Sequence, residues 1–405
     1  MKRFFILSVF LPAFSFSQNI STENIKRNIS FLADDKLNGR GTSSADEKKA
    51  AEYIAAEFKK SGLTPLKNNS YLNEFSFKEK KSPHDSIGTV PRNGLNVEGF
   101  LDNGAPYTIV IGAHFDHLGL GKDHNSLDAN PEGKIHNGAD DNASGTAGVL
   151  ELANYFSKNN KKEKYNFLFL CFSGEELGLF GSKKWCDNPS LELSKINYMI
   201  NLDMVGRLND STKKLIVYGV GTSPVWVPIL DSLKSEFSIK KDSSGVGPSD
   251  QTSFYLKDIP VLHFFTGQHK DYHKPSDDVD KINFKGEKDV LEYIVRIVDV
   301  TDNYGKLKFL RTRNPDMGKS SFKVTMGVMP DYTFEGKGMR IDGVTDGKPA
   351  AKAGVQKGDI VTQLGEVKVE NVQDYMKGLN TFKKGDTGKV KVLRNGKEII
   401  LDVTF

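Results

Sequence analysis

Residues 107–118 read YTIVIGAHFDHL, and this stretch constrains the chain more than any other. Thr108–Ala113 is a short apolar run rich in β-branched residues, the pattern of a buried strand. It stops at His114-Phe115-Asp116-His117, ionisable groups that a strand interior does not accommodate. In open α/β sheets, ligands sit at the carboxyl ends of the strands. A strand that carries titratable groups at that end predicts a site. The other chemically loaded segments before residue 305 can be read as converging on it.

Asn166–Phe172 (NFLFLCF) predicts a second buried strand and runs into Ser173-Gly174-Glu175-Glu176. Ile196–Leu202 predicts a third and ends in Asp203. Leu215–Val220 predicts a fourth. Ile259–Phe265 predicts a fifth, opening into TGQHKDYHKPSDD. Between and around them lie helical patterns. Ala45–Ser61 puts Ala51, Ile54, Ala55 and Phe58 on one face, and Gly62 closes it. A helix capped by Ser144 presents Val149, Leu152, Ala153 and Phe156. Gly181–Cys186 is helix-like, and Glu287–Asn303 carries Val290, Ile294, Ile297 and Val298 on its apolar face. Residues 31–42 read as a loop, and 119–143 as a long polar loop that is expected to be functional. Leu95–Phe100 is expected to be a strand paired with Thr108–Ala113 as a hairpin. The alternation predicts an α/β domain with a mostly parallel central sheet flanked by helices.

Length allows a second unit. Residues 309–320, FLRTRNPDMGKS, lack periodicity and are expected to be a linker. Residues 321–405 then form a small β-rich unit. It has helical stretches at Pro349–Ala353 and Val372–Leu379. An Asn395-Gly396 hairpin turn is expected between Lys389–Arg394 and Lys397–Phe405. At the other end, Lys2 and Arg3 precede the apolar run Phe4–Phe14 and then Ser15-Phe16-Ser17. That is a secretory signal pattern over residues 1–17, with cleavage expected before Gln18. The apolar run is short of the roughly 20 residues a spanning helix needs. The expected mature protein is secreted or periplasmic, with no stable membrane insertion after signal cleavage. The net charge is +4, and the two signal-segment cations are part of it. So little bias gives no case for nucleic acid or an anionic membrane as partner. Cys171 and Cys186 are compatible with a disulfide or with two separate buried thiols.

Five segments each end a strand or start a helix with a carboxylate or an imidazole: His114, Asp141, Glu176, Asp203 and His273. Two imidazoles and three carboxylates are too many for one tetrahedral zinc, and fit two if one carboxylate bridges. Two Zn²⁺ against three carboxylates leave surplus positive charge, which would acidify a shared water. Glu175, beside a ligand but free of metal, fits a general base. Asp116, two residues after His114, fits a partner for the second ring nitrogen of that histidine. Each piece alone has a plain alternative: acids favour helix N-termini, and a loop histidine is usually solvated. The joint pattern is what points to a metal centre.

GAHFDHLG, NGADDNASG, FSGEELGLFGS, NLDMVGR and DYHKPSDDVDKI, in this order, resemble the M28 family of co-catalytic zinc peptidases, mostly aminopeptidases. The resemblance covers about residues 20–305, so the domains would be a zinc peptidase unit over 18–308 and a second unit over 321–405. It implies that His114 and Asp203 hold one zinc, that Glu176 and His273 hold the other, and that Asp141 bridges them. It implies that Glu175 is the base and proton shuttle, Asp116 the orienting carboxylate, and Tyr272 a hydrogen-bond donor to the tetrahedral intermediate. It also implies a cis peptide at Asp141–Asn142. His117, His124, His136, His263 and His269 do not match ligand positions, although His269 competes with His273. Residues 321–405 resemble a PDZ domain through GKGMRIDGV, KPAAKAGVQKGDIV and VQDYMKGL. That resemblance implies strand addition by a peptide or protein C-terminus, with Gly338-Met339-Arg340-Ile341 as the carboxylate loop. The alternatives are a carboxypeptidase or other amidohydrolase on the same metals, for which Arg207 is the nearest cation for a substrate carboxylate. A one-zinc cyclase and a non-catalytic peptide-binding scaffold also remain open.

Overall fold

The structure is a computed structural model that describes residues 19–80, 89–123, 125–128, 130–312, 324–330, 334, 336–344 and 347–405. The expected signal segment and its cleavage site, and residues 313–320 of the expected linker, lie outside the described residues, as does His124. In chain order the first unit runs α1 (Thr22–Leu32), α2 (Ala45–Lys60), β1 (Leu72–Lys80), β2 (Thr89–Leu101), β3 (Thr108–His114), α3 (Gly145–Lys158), β4 (Asn166–Phe172) and α4 (Phe180–Asp187). It continues with β5 (Ile196–Leu202), β6 (Lys214–Tyr218), α5 (Trp226–Ser232), β7 (Ser238–Lys241), α6 (Gln251–Tyr255), β8 (Val261–Phe265) and α7 (Phe284–Thr301).

Its eight strands form one sheet in the order β1-β2-β4-β3-β5-β8-β6-β7. The four central strands, β4, β3, β5 and β8, are mutually parallel. Every residue of β3, β4, β5 and β8 is buried, as expected for parallel strands covered on both faces. The strand period of two sorts their side chains. Ile109, Ile111, Phe167, Phe169, Tyr198 and Ile200 pack under α1, α2, α3 and α7. Val110, Leu168, Leu170, Phe172 and Met199 face the other way, against Trp185 and Phe254 of α4 and α6. Antiparallel strands extend both sides, so the sheet is mixed.

Two local expectations change. Leu95–Phe100 is a strand, but β2 pairs with β4 and not with β3. Both edges of β3 are taken by parallel neighbours, β4 and β5. The connection from β2 therefore crosses the start of β4. There the Asn166 side chain accepts from the backbone N–H of Asn103 and Ala105 and donates to the Ala105 carbonyl. Ser144 does not cap α3. Its hydroxyl donates to the Asp140 carbonyl at 2.7 Å, while the Asn142 side chain accepts from the Gly145 N–H. Helix α1, most of which the sequence reading left unassigned, starts at a Ser21 cap that accepts from Asn24 N and takes Phe31 and Leu32 from the expected loop, within which Asp35–Arg40 is 3-10 helical. Cys171 and Cys186 are unbonded and belong to packing clusters on opposite faces of the sheet. Phe309 packs against Tyr255, and Leu310 N donates to the Thr222 carbonyl, so the described chain stays against this unit through Thr312.

The second unit comprises β9 (Val328–Pro330), β10 (Met339–Val344), α8 (Pro349–Lys352), β11 (Ile360–Leu364), β12 (Val367–Lys368), α9 (Val372–Asn380), β13 (Thr387–Arg394) and β14 (Lys397–Thr404). The six strands form a second sheet over a small core that includes Met339, Ile341, Val361, Leu379, Val390 and Val392. Asn395 and Gly396 both have positive φ, the requirement of the tight turn between β13 and β14. Among the described residues no helix is long and apolar enough to cross a membrane.

Candidate metal centre

Parallel strands bring their carboxyl ends to one edge of the sheet, and the chemistry collects there. His114 is the last residue of β3, Glu175 and Glu176 follow β4, and Asp203 follows β5 directly. His273 lies in the loop after β8. Asp141 lies in an irregular turn ahead of α3, where the Asp141–Asn142 peptide is cis.

The side chains form two groups joined by Asp141. His114 Nε2 lies 3.3 Å from Asp141 Oδ1, 3.5 Å from Asp203 Oδ1 and 3.8 Å from Glu175 Oε2. His273 Nε2 lies 3.2 Å from Asp141 Oδ2 and 3.1 Å from Glu176 Oε2. Zinc bonds of about 2.0–2.2 Å in a tetrahedron put neighbouring donor atoms about 3.3–3.6 Å apart. Apart from the longer 3.8 Å to Glu175, the observed separations fall at or just under that edge length. Buried Asp141 Oδ2 has no hydrogen-bond partner among the described residues, although it faces an imidazole nitrogen. The donor set, two imidazole nitrogens and three carboxylates, therefore fits a pair of zinc ions.

Backbone carbonyls fix both imidazoles. His114 Nδ1 lies 3.1 Å from the Asp116 carbonyl, and His273 Nδ1 lies 2.8 Å from the Asn125 carbonyl. A proton on each Nδ1 leaves each Nε2 lone pair facing the cluster. The orienting contact at His114 thus comes from the backbone of Asp116. Its carboxylate lies farther off, at 3.8 Å. That carboxylate instead accepts from Thr42 Oγ1 at 2.7 Å and from the Glu175 N–H at 3.1 Å, so it positions the segment bearing Glu175.

Electrostatics couple the groups. Burial opposes charge on Asp141, but the facing imidazoles of His114 and His273 hold its carboxyl well below the usual range. Burial likewise opposes charge on Glu176, yet His273 brings it to about 2. Burial would lower His114 and His273, and the facing carboxylates raise both imidazoles well above their ordinary value. Glu175 goes the other way. Burial lifts it well above a normal carboxyl, against the pull of His114 and with the push of Glu176.

Tyr272 stacks on His273 with ring centroids 3.9 Å apart and lines the same pocket. The pocket wall away from the carboxylates is formed by Met204, Tyr218, Pro248 and Phe265. Of the remaining histidines, His263 is a buried residue between Tyr218 and Phe265, and burial lowers it to about 4. His269 pairs with Asp140 at 3.1 Å and stands outside both donor groups. His136 bonds Ser126. Arg207 sits 3.3 Å from Asp271, so it is engaged by the protein's own carboxylate.

The sequence reading missed His117. Its Nδ1 lies 2.7 Å from Glu176 Oε1, which leaves Oε2 for the His273 side. A separation of 2.7 Å is a hydrogen bond, too short for two donors sharing one zinc. The only signal was a second histidine in H-F-D-H. In the second unit, Gly338 has φ +105°. Its N–H is donated to the Glu370 carbonyl, and that of Ile341 to the Asp359 carbonyl.

Comparison with known proteins gives a family match for each unit. The profile of peptidase family M28 matches residues 96–298, and that of the PDZ domain matches residues 312–405. Leucine aminopeptidase 2 of Arthroderma otae is 27% identical over 224 residues, covering 47% of this chain and 43% of its own. Leupeptin-inactivating enzyme 1 of Streptomyces exfoliatus is 26% identical over 259 residues, covering 62% and 50%. The chain thus spans about half the length of these curated relatives. A solved zinc aminopeptidase from Bacillus subtilis superposes with a TM-score of 0.55 at 18% identity, over 71% of this chain and 96% of that one. At that identity the likeness is one of fold.

Proposed function

Because this chain belongs to peptidase family M28, we propose that it is an exported di-zinc aminopeptidase that removes N-terminal residues from peptides. One observation carries the reading: the two oxygens of Asp141 face two different imidazoles, each at a separation suited to a shared ion. In this reading His114 and Asp203 would hold one zinc, Glu176 and His273 would hold the other, and Asp141 would contribute to both. Two zinc ions there would supply Lewis acidity toward the scissile carbonyl and lower the pKa of water.

The chain's own residues do the rest. Glu175 takes a proton from the attacking water on its carboxylate and passes it to the departing amine nitrogen. Asp116 keeps Glu175 aimed through its backbone N–H. Tyr272 donates a hydrogen bond from its hydroxyl to the developing oxyanion. The carboxylates around the pocket receive the free α-amine of the substrate, which selects the chain terminus. The PDZ domain captures an extended peptide or protein C-terminus near Gly338–Ile341.

The test compares a free-amine peptide with its N-acetylated form. The proposal expects stepwise release of amino acids from the free-amine peptide only. Equal cleavage of both sinks the aminopeptidase assignment. Release from the C-terminus would favour the carboxypeptidase alternative.

A further inference from the structure

Arg40 belongs to no motif used above, yet it is 0% exposed. Its guanidinium donates to four backbone carbonyls. Nε reaches Phe115 at 2.7 Å, one terminal nitrogen reaches Leu32 at 2.7 Å and also Asn137, and the other reaches Gly138 at 3.1 Å. Phe115 follows His114, and Gly138 comes three residues before Asp141. The group thus ties two ligand-bearing segments to each other. Burying a cation is strongly unfavourable unless it is compensated. The compensating field comes from Asp116, Asp141, Asp277 and Glu176, and burial brings Arg40 only to about 10, so it stays charged at neutral pH.

Asp277 works from the other side. Its carbonyl accepts from Ala139 N at 3.0 Å. Its carboxylate Oδ2 accepts from the N–H groups of both Asp140 and Asp141, each at 3.0 Å. Residues 137–141 are therefore held throughout: two carbonyls by a cation and three N–H groups by Asp277. Asp277 lies four residues after His273, so the same contacts link this segment to the second imidazole.

We propose that Arg40 and Asp277 are positioning residues that hold the 137–141 backbone between them, and thereby fix the Asp141 carboxylate where it can serve both metals. This rests on the reading of Asp141 as the shared ligand. Partners of this kind are worth about 10–100-fold in metal affinity.

The experiment titrates zinc into the metal-free full-length chain against a competing chelator, with thermal melting of the metal-free form measured in parallel. Arg40→Lys keeps the charge but cannot reach four carbonyls in one plane. The expected result is a metal-free protein that still melts cooperatively while its weaker zinc site loses about 10–100-fold in affinity. A lower melting temperature with an unchanged zinc isotherm would mean a merely structural arginine and overturn the proposal. If Arg40→Lys fails to fold, Asp277→Ala carries the same test from the opposite side. Its isotherm must shift in the same direction, and an unshifted one overturns the proposal. A wild-type chain that takes up no zinc overturns both this inference and the function on which it rests. A wild type with two zinc ions and unshifted variants overturns this inference alone.

Discussion

Glu175 and Glu176 are neighbours in sequence with opposite environments. Burial raises the first, whereas His273 and His117 pull the second to about 2. In the proposed mechanism, adjacent carboxyls pushed apart in this way take different roles, one as proton carrier and one as ligand. Glu175→Gln should keep the metals and lose about 10²–10⁴ in kcat. Metal analysis beside a turnover assay checks both halves, and loss of the metal would reassign Glu175 as a ligand. Glu47 offers a separate handle. It lies beneath the same segment, where the Ser173 hydroxyl donates to it, and burial raises it from 4.5 to about 8. The folded state thus holds the proton more tightly than the unfolded chain. Its stabilising contribution is complete below pH 4.5 and is lost as pH rises through about 8. Over that window the loss is on the order of 3–5 kcal/mol. Glu47→Gln should flatten the decline, as read by denaturant unfolding at several pH values. An identical slope in the variant would remove Glu47 as its source.

At the scale of elements, the site depends on irregular backbone between regular pieces. Gly138 has φ +56°, and a Cβ there would lie 2.1 Å from the Asp141 carbonyl and 2.4 Å from the His117 ring. Gly138→Ala should cost about 1–3 kcal/mol of stability and weaken zinc binding by at least about 10-fold. An unaffected zinc isotherm would show that this turn does not set the position of Asp141. The strands themselves were legible. Asn166–Phe172 and Ile196–Leu202 are continuous apolar runs whose ends are marked by Glu175, Glu176 and Asp203, and such local patterns survive without tertiary knowledge. The partner of β2 was not legible, because pairing depends on which edge β4 and β5 leave free. Helix α1 was hidden next to a polar, glycine-containing stretch.

For the whole molecule, the legible part of the site is the set of side chains that terminate strands. The illegible part is what holds them. Arg40 and Asp277 act largely through groups far away in sequence, 75 residues from Arg40 to Phe115 and 137 from Asp277 to Asp140, and His117 acts through one bond to Glu176, 59 residues away. No periodicity encodes such contacts. The parallel sheet makes them possible by delivering four strand ends to one edge, and the flanking helices bury that edge enough to strengthen every charge interaction there.

The most direct measurement is the zinc content of purified, extensively dialysed protein, compared between wild type and Asp141→Ala. If the two oxygens of Asp141 serve two ions, wild type should retain about two zinc ions per chain, and Asp141→Ala fewer than about one. Wild type holding one ion or none, or an Asp141→Ala chain that still holds the full pair, would contradict the account.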